Sequence, residues 1–419
     1  MDHQKSNQGL NRRIAIIGAG AAGLSAGHAL KILGYKHVVV FERADRVGGK
    51  CCTVEIEGRN YELGAGIVSE DNRVVLKLAK EFGVPLARVP FGHSTHVNGE
   101  TGAPMPKRTA RQTVRLLKEL AVYYVLSWRY GSAGKPGLAR TNKSLMAPFA
   151  EFARVHHIEN LAKELALFFT GFGYDYFERI PAVYVLKYYR RPMLMAFMRR
   201  KIYRLPEGIQ HLWTAVASVL DVRLNTEITK IERAELVRIT TQQGTEEFDE
   251  LILTSPLDEA LQYLDATAEE RALFSKIEYV NYCTVACSIK DFPDGDGYVP
   301  GNFSPERAGK PVFWHHRHAD ADVYTFYSLA EFHQTDKDLI QEASNLISKM
   351  GGSLETVYSV SRWKYFPHVS PHEFRAGYFD KVEALQGARH TYYAGEVMNF
   401  STVGLTSEYA DALVTRFFV

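Results

Sequence analysis

Ile14-Ala15-Ile16-Ile17-Gly18-Ala19-Gly20-Ala21-Ala22-Gly23 is the stretch that decides the fold. A short apolar run enters a glycine turn, an alanine- and leucine-rich segment follows, and a second apolar run, Val38-Val39-Val40-Phe41, closes at Glu42. The pattern predicts a strand, a glycine turn, a helix and a second strand. Gly18 permits the tight turn out of the strand, Gly20 leaves room for a pyrophosphate against the backbone, and Gly23 lets the helix lie close to the sheet. The helix N-terminus, with Ala22 in its first turn, then offers unpaired N–H groups to an anion. Glu42 stands about twenty residues past the last glycine, where a carboxylate accepts a hydrogen bond from a ribose 2′-hydroxyl and disfavours a 2′-phosphate.

Glu42-Arg43-Ala44-Asp45-Arg46-Val47-Gly48-Gly49-Lys50 extends this signature with a second glycine pair, which favours FAD over NAD. Next come two short alternating runs about a turn, Thr53 to Glu62, and then Leu63-Gly64-Ala65-Gly66, small residues that let backbone approach a large ring system. Ser255-Pro256 and Ala394-Gly395-Glu396 end later apolar strands of the same character. The last is followed by a helix from about Ser407 to Phe417.

A chain of 419 residues with 46% apolar content can bury a large core and is expected to form interleaved domains. The formal net charge of +2 gives no general affinity for nucleic acid. No apolar run is long enough to span a bilayer, and Met1 to Asn11 carries no signal-peptide core, so a cytoplasmic location is expected. Cys51, Cys52, Cys283 and Cys287 lack zinc-ligand spacing and read as reduced thiols, the last two on one side of a strand. The cluster His315-His316-Arg317-His318 suggests a metal at first sight. Strand alternation sends His315 and His316 to opposite faces, so no metal is expected.

Between the glycine elements the chain is less regular. Asn72 to Phe82 has helical spacing, and Ala147 to Phe169 reads as one long helix. Pro104 to Lys143 carries nine basic residues and one acid, Glu119, interleaved with leucine, valine, tyrosine and tryptophan. A basic helix with an apolar face reads as a membrane-surface contact, as a collar for anionic amphiphiles, or as the outer face of a buried helix. Phe168 to Phe177, Pro181 to Tyr189 and Met193 to Met198 are dense in aromatic residues and methionine, which suit a long apolar ligand, although such stripes more often form plain core. Val222 to Ile228, Leu236 to Thr240 and Phe248 to Thr254 are predicted strands. The fold class is α/β: a Rossmann-type FAD-binding domain (1–70, 205–260 and 388–419) interleaved with a mixed-sheet substrate domain (261–387) and a helical cap (71–204).

The fingerprint with Gly48-Gly49 and the Ala394-Gly395-Glu396 strand end resemble the FAD-dependent amine oxidase-like superfamily. Within it, the blocks Phe169 to Tyr189, Tyr365 to Gly377 and Leu413 to Val419 resemble the polyenoic fatty acid isomerases. The resemblance implies FAD held by Gly18, Gly20, Ala22, Gly23, Glu42, Arg43, Gly49, Lys50, Gly64, Ala65, Gly66, Ile228, Trp363, Gly395 and Glu396. It implies hydride transfer from a doubly allylic carbon to flavin N5 and back to another carbon, the cation being held among aromatic rings. Phe172 and Phe197 match acyl-channel positions, with Tyr174 nearby. Phe91-Gly92-His93 stand where the resemblance leads one to expect an arginine for the fatty acid carboxylate, so either Arg88 or His93 takes that role or the substrate differs. The expected substrate is a long-chain unsaturated fatty acid or similar lipid. The alternatives are a net oxidase or desaturase of an amine or apolar acid, and a flavin-bearing binding protein at a membrane surface. No acid–base pair is nameable.

Overall fold

The computed structural model describes residues 10–89 and 94–419. Its first layer is a five-stranded parallel sheet in the order Thr391–Tyr393, Glu250–Leu253, Arg13–Ile17, His37–Phe41, Asp221–Arg223. The strand that opens the chain lies at the centre, with Ile14, Ala15 and Ile16 fully buried. Strands apolar on both faces need helices on both sides, as parallel sheets generally do. The helix Ala21–Ile32 follows the glycine turn and packs against the C-terminal helix Val403–Phe417. That C-terminal helix begins four residues earlier than its spacing predicts. Thr402 caps it, its Oγ1 accepting from the Leu405 N–H at 3.1 Å.

The predicted strand Val222 to Ile228 divides in two. Asp221–Arg223 joins the parallel sheet, whereas Ile228–Arg233 starts an antiparallel three-stranded meander with Val237–Thr241 and Gly244–Phe248. Asn225, at φ +50°, makes the corner between them, a conformation asparagine tolerates better than most residues. There the Asn225 N–H donates to the Ala44 carbonyl and the Thr226 N–H to that of Glu42, so the corner is pinned beside the second glycine turn.

A six-stranded sheet forms the second layer, in the order Ser353–His368, Glu278–Lys290, Val323–Ala330, Pro311–His315, Gly297–Tyr298, Thr95–His96. Alternation along Glu278–Lys290 sorts its two faces. Cys283, Val285 and Cys287 pack with Leu339, Ala343 and Ile347 of the helix Asp336–Lys349, so both cysteines do share one face. All four cysteines are free thiols. Tyr282 projects from the other face, toward the centre of the molecule.

The helices from residue 110 to 198 pack on one another, and they differ from expectation at one place. Ala147 to Phe169 is not one helix but two, Phe149–Val155 and Glu159–Phe168, broken at His157 with φ +56°. Glu119 explains why the second helix starts where it does. This buried carboxylate on the helix Ala110–Arg129 accepts the Leu161 N–H at 2.8 Å and Asn160 Nδ2 at 2.6 Å, satisfying a first-turn donor. Burial works against its ionisation, but these hydrogen bonds and Arg115 outweigh that cost and hold its carboxyl below the ordinary range. Two shorter helices, Ala182–Tyr188 and Arg191–Met198, complete this region.

Candidate functional site

The glycine turn is built for an anion. Gly18 sits at φ +104°, and Thr254 Oγ1 donates to the carbonyls of Ile17 (2.7 Å) and Gly18 (3.1 Å), fixing the strand end. A Cβ on Gly23 would stand 1.9 Å from the Gly18 carbonyl oxygen, so close packing alone demands glycine there. Gly20 is different: a Cβ would meet nothing nearer than the Gly49 Cα at 4.0 Å. Its side is open, and no side chain caps the helix Ala21–Ile32 that follows. Unpaired first-turn N–H groups, Ala22 among them, and space at Gly20 are what a pyrophosphate requires.

The second glycine turn docks onto the first. Gly48 donates its N–H to the Ala19 carbonyl at 2.8 Å, and a Cβ on Gly49 would come within 3.3 Å of the Gly20 Cα. Glu42 accepts the Ala19 N–H (2.8 Å) on one oxygen and the Ala44 N–H (2.9 Å) on the other, so it shapes the turn itself. A carboxylate has about four acceptor positions, which leaves capacity for a ribose hydroxyl. Arg43 projects to the surface and pairs with Glu259 at 3.1 Å, and Ile228 is half-buried at the start of the meander.

Lys50 gathers the next elements. A Cβ on Gly64 would meet its carbonyl oxygen at 2.0 Å, and that oxygen accepts the Ala65 N–H at 3.1 Å. Trp363 Nε1 donates to the Leu63 carbonyl at 2.6 Å, placing the indole 3.7 Å from the Gly64 Cβ position. A Cβ on Gly66 would press to 2.9 Å from Glu62, and one on Gly395 would lie 3.1 Å from the Thr254 carbonyl oxygen. Lys50 Nζ meets Glu396 at 2.8 Å. An open glycine turn, an uncapped helix and this tight-backboned rim together fit FAD.

From the rim a cavity of about 630 Å³ runs between the six-stranded sheet and the helices Glu159–Phe168 and Arg191–Met198. Lys50, Gly64, Ala65, Gly66, Trp363 and Tyr365 line its inner end. Its wall is aromatic. The rings of Tyr174, Tyr365, Tyr282 and Tyr327 stack in a column, with successive centroids 5.5, 5.4 and 5.7 Å apart and planes within 27°. Phe172 stands edge-on to Phe168 (5.7 Å) and Phe313 (5.5 Å), and Phe197 lies 5.3 Å from Phe168. Burial pushes the hydroxyls of Tyr174, Tyr365, Tyr282 and Tyr327 above their ordinary range, so the column stays neutral.

Polar side chains line the cavity as well, Glu62, Asp71 and Asp320 among them. Arg204 and Arg317 line it, with Asp296, His315 and His318. Arg204 Nη1 donates to the Arg317 carbonyl at 3.1 Å. The Arg317 guanidinium is buried: Nη2 donates to the Leu205 carbonyl (2.9 Å), Nη1 lies 3.5 Å from Glu62, and Nε has no hydrogen-bond partner among the described residues. Burial pushes Arg317 below, and Glu62 above, their ordinary ranges. Among the described residues no cluster of histidine, cysteine and carboxylate could hold a metal. His315 instead pairs with Asp296 at 2.7 Å, His316 with the Ala321 carbonyl and His318 with the Asn60 carbonyl.

Of the acyl-channel residues expected from sequence, Phe172, Tyr174 and Phe197 all line this cavity. Arg88 is not among the lining residues. It is exposed on the two-residue strand Ala87–Arg88, and the next residue, Val89, faces the cavity instead. His93 lies outside the described residues. Sequence reasoning missed Arg204, which the strand pairing sets directly opposite Ala87, and the tyrosines at 282 and 327. Their one signal was period-two alternation within apolar strands.

A family model for flavin containing amine oxidoreductase matches residues 21–397. The chain is similar to the crystal structure of a CLA-producing fatty acid isomerase from P. acnes, with a TM-score of 0.92 and 34% identity over 98% of this chain and 99% of that one. It is 27% identical to beta-cyclopiazonate dehydrogenase of Aspergillus flavus, over 97% of this chain and 94% of that protein. Putrescine oxidase shares the fold at a TM-score of 0.72 and 16% identity, over 97% and 98% of the two chains. The protein therefore belongs to the flavin-containing amine oxidoreductase family and takes FAD as its cofactor.

Proposed function

We propose that this flavoprotein moves a double bond in a long-chain unsaturated fatty acid or related lipid to give a conjugated diene, without net oxidation. The observation that carries the reading is the cavity's lining: an aromatic wall beside the glycine rim, with the guanidinium of Arg204 available to an anionic head group. An amphiphile with an apolar chain and an anionic head matches it. The isomerase named above, similar along nearly its whole length, supports the same class of substrate.

When bound, FAD supplies a hydride acceptor that can also return the hydride. The chain's own residues do the remainder. Arg204 binds the carboxylate and sets how far the acyl chain reaches toward the rim. Phe172, Phe197 and Phe168 confine that chain and exclude water. The faces of the tyrosine column stabilise positive charge developing on the allylic carbons. Because the column hydroxyls stay protonated, they offer no phenolate to trap a cation or remove a proton.

A net oxidase or desaturase of an amine or apolar acid, its reduced flavin reoxidised by oxygen, is the second reading, favoured by the two-hydrogen removal in the name of the Aspergillus flavus relative. It would consume oxygen and release hydrogen peroxide in proportion to product. Incubating the holoenzyme with linoleic acid while following oxygen, peroxide and diene absorbance separates the two. Diene without peroxide supports isomerisation; stoichiometric peroxide overturns it.

A further inference from the structure

The helix Ala110–Arg129 is apolar on two opposite sides. At about 100° per residue, Tyr123, Leu126 and the half-buried Leu116 and Leu120 face the protein. Val114, Leu117, Tyr124, Val125 and Trp128 fall on a second stripe facing solvent, Leu117 60% and Trp128 70% exposed. Ala121 continues that stripe. Arg111, Lys118 and Arg129 flank it on one edge, together with Arg115, whose Nε is held by Glu119. The helix's one acid is turned inward and buried and reaches only Arg115, so no carboxylate on this helix stands beside Arg111, Lys118 and Arg129. Folded monomers seldom leave such a stripe uncovered without a partner for it.

The neighbouring helix Arg191–Met198 extends the face and connects it to the cavity. The Arg191 guanidinium lies 5.3 Å from the Tyr124 ring. On this one helix Met198 is 73% exposed, whereas Met193 and Phe197 line the cavity. One helix thickness, about 10 Å, thus separates the exposed stripe from the aromatic wall.

We propose that the Ala110–Arg129 helix, with Met198 beside it, docks flat on an anionic lipid bilayer. Charge complementarity selects this occupant. An apolar stripe with tryptophan and tyrosine, bordered by lysine and arginine, matches the boundary between acyl chains and anionic head groups. No helix among the described residues is long and apolar enough to cross a membrane, which agrees with lying on the surface. That the acyl chain passes over Arg191–Met198 into the cavity rests on the lipid substrate proposed above; the docking itself does not.

The test needs no turnover. FAD-loaded protein is sedimented with vesicles of phosphatidylcholine alone and of phosphatidylcholine with phosphatidylglycerol, and tryptophan emission is recorded. Trp213 and Trp314 are fully buried and Trp363 half-buried, so a blue shift on binding reports chiefly Trp128. Sedimentation with the phosphatidylglycerol vesicles, weakened by salt, is expected. The double variant Leu117→Glu/Trp128→Glu should lose about tenfold or more of it while keeping its flavin spectrum and Tm. Lys118→Glu/Arg111→Glu should lose the preference for phosphatidylglycerol. No partition onto anionic vesicles, or equal partition of wild type and Leu117→Glu/Trp128→Glu, overturns the proposal. So does a concentration-dependent dimer that the same variant breaks, which would assign the face to a second copy of the chain.

Discussion

Lys50 Nζ lies 2.8 Å from Glu396 Oε2, joining two residues 346 positions apart. Lys50 ends the second glycine turn, and Glu396 follows the last strand of the parallel sheet. The same lysine receives the Ala65 N–H on its carbonyl and holds its ammonium 5.7 Å from the Tyr365 ring centroid. One side chain therefore ties the cofactor rim to the tyrosine column. The pair is only partly buried, so its contribution is about 1 kcal/mol. Glu396→Gln should leave Tm nearly unchanged and weaken FAD retention about fivefold, as read from the flavin-to-protein ratio after gel filtration.

The two glycines of the first turn should respond differently to the same methyl group. Gly23→Ala forces a Cβ to 1.9 Å from the Gly18 oxygen, so the strand–turn–helix unit cannot close. Its expected outcome is insoluble or unfolded protein. Gly20→Ala meets open space and should fold with the Tm of the apo form, yet bind FAD at least about tenfold more weakly, because the methyl occupies room for the pyrophosphate. Thermal unfolding and flavin titration together check the contrast.

Head-group recognition is expected at Arg204. Hydrogen bonds to charged groups contribute about 1.5–3 kcal/mol, so Arg204→Leu should raise KM for linoleic acid about tenfold or more. KM for the alcohol of the same chain length should barely move. Equal effects on acid and alcohol would instead make Arg204 a packing residue of the cavity wall.

These contrasts also mark where the sequence was readable. The strand, glycine turn, helix and second strand were legible because each step is local: periodicity, a turn needing φ +104° at Gly18, and an acid at a fixed distance. The tyrosine column was not, since its four rings come from separate segments that only strand register brings together. Tyr282 and Tyr327 lie on neighbouring strands, and Tyr365 on the strand beyond Tyr282. Arg88 shows how much a single step of register decides. Ala87 pairs with Arg204, so one step along a short strand separates a cavity wall from solvent. The break at His157 escaped notice because the apolar spacing continues through it, while the cause, Glu119, lies 42 residues before Leu161.

Acid stability should depend on a second long-range pair. The fully buried Arg233 grips Glu270 with two N–H groups, at 2.7 and 2.8 Å, and the Tyr393 hydroxyl adds a third hydrogen bond at 2.6 Å. Burial works against the Glu270 charge, but these partners outweigh it and hold the carboxyl down to about 2. Its folded value is depressed, so the stabilisation is complete above the unfolded value near 4.5 and is lost as pH falls through 2. The wild type should lose on the order of 3 kcal/mol from this site across that window. Glu270→Gln should be less stable at pH 7 and show a flatter acid limb in thermal unfolding against pH.

Redox-neutral double-bond movement is tested most directly without oxygen. Purified holoenzyme, its FAD verified by spectrum, is incubated anaerobically with linoleic acid while conjugated-diene absorbance and the flavin spectrum are followed together. Catalytic diene formation, in excess over enzyme and ending with the flavin oxidised, is the expected result. Flavin that stays bleached after one equivalent, with no further diene until oxygen is admitted, would contradict isomerisation and assign the protein to net oxidation.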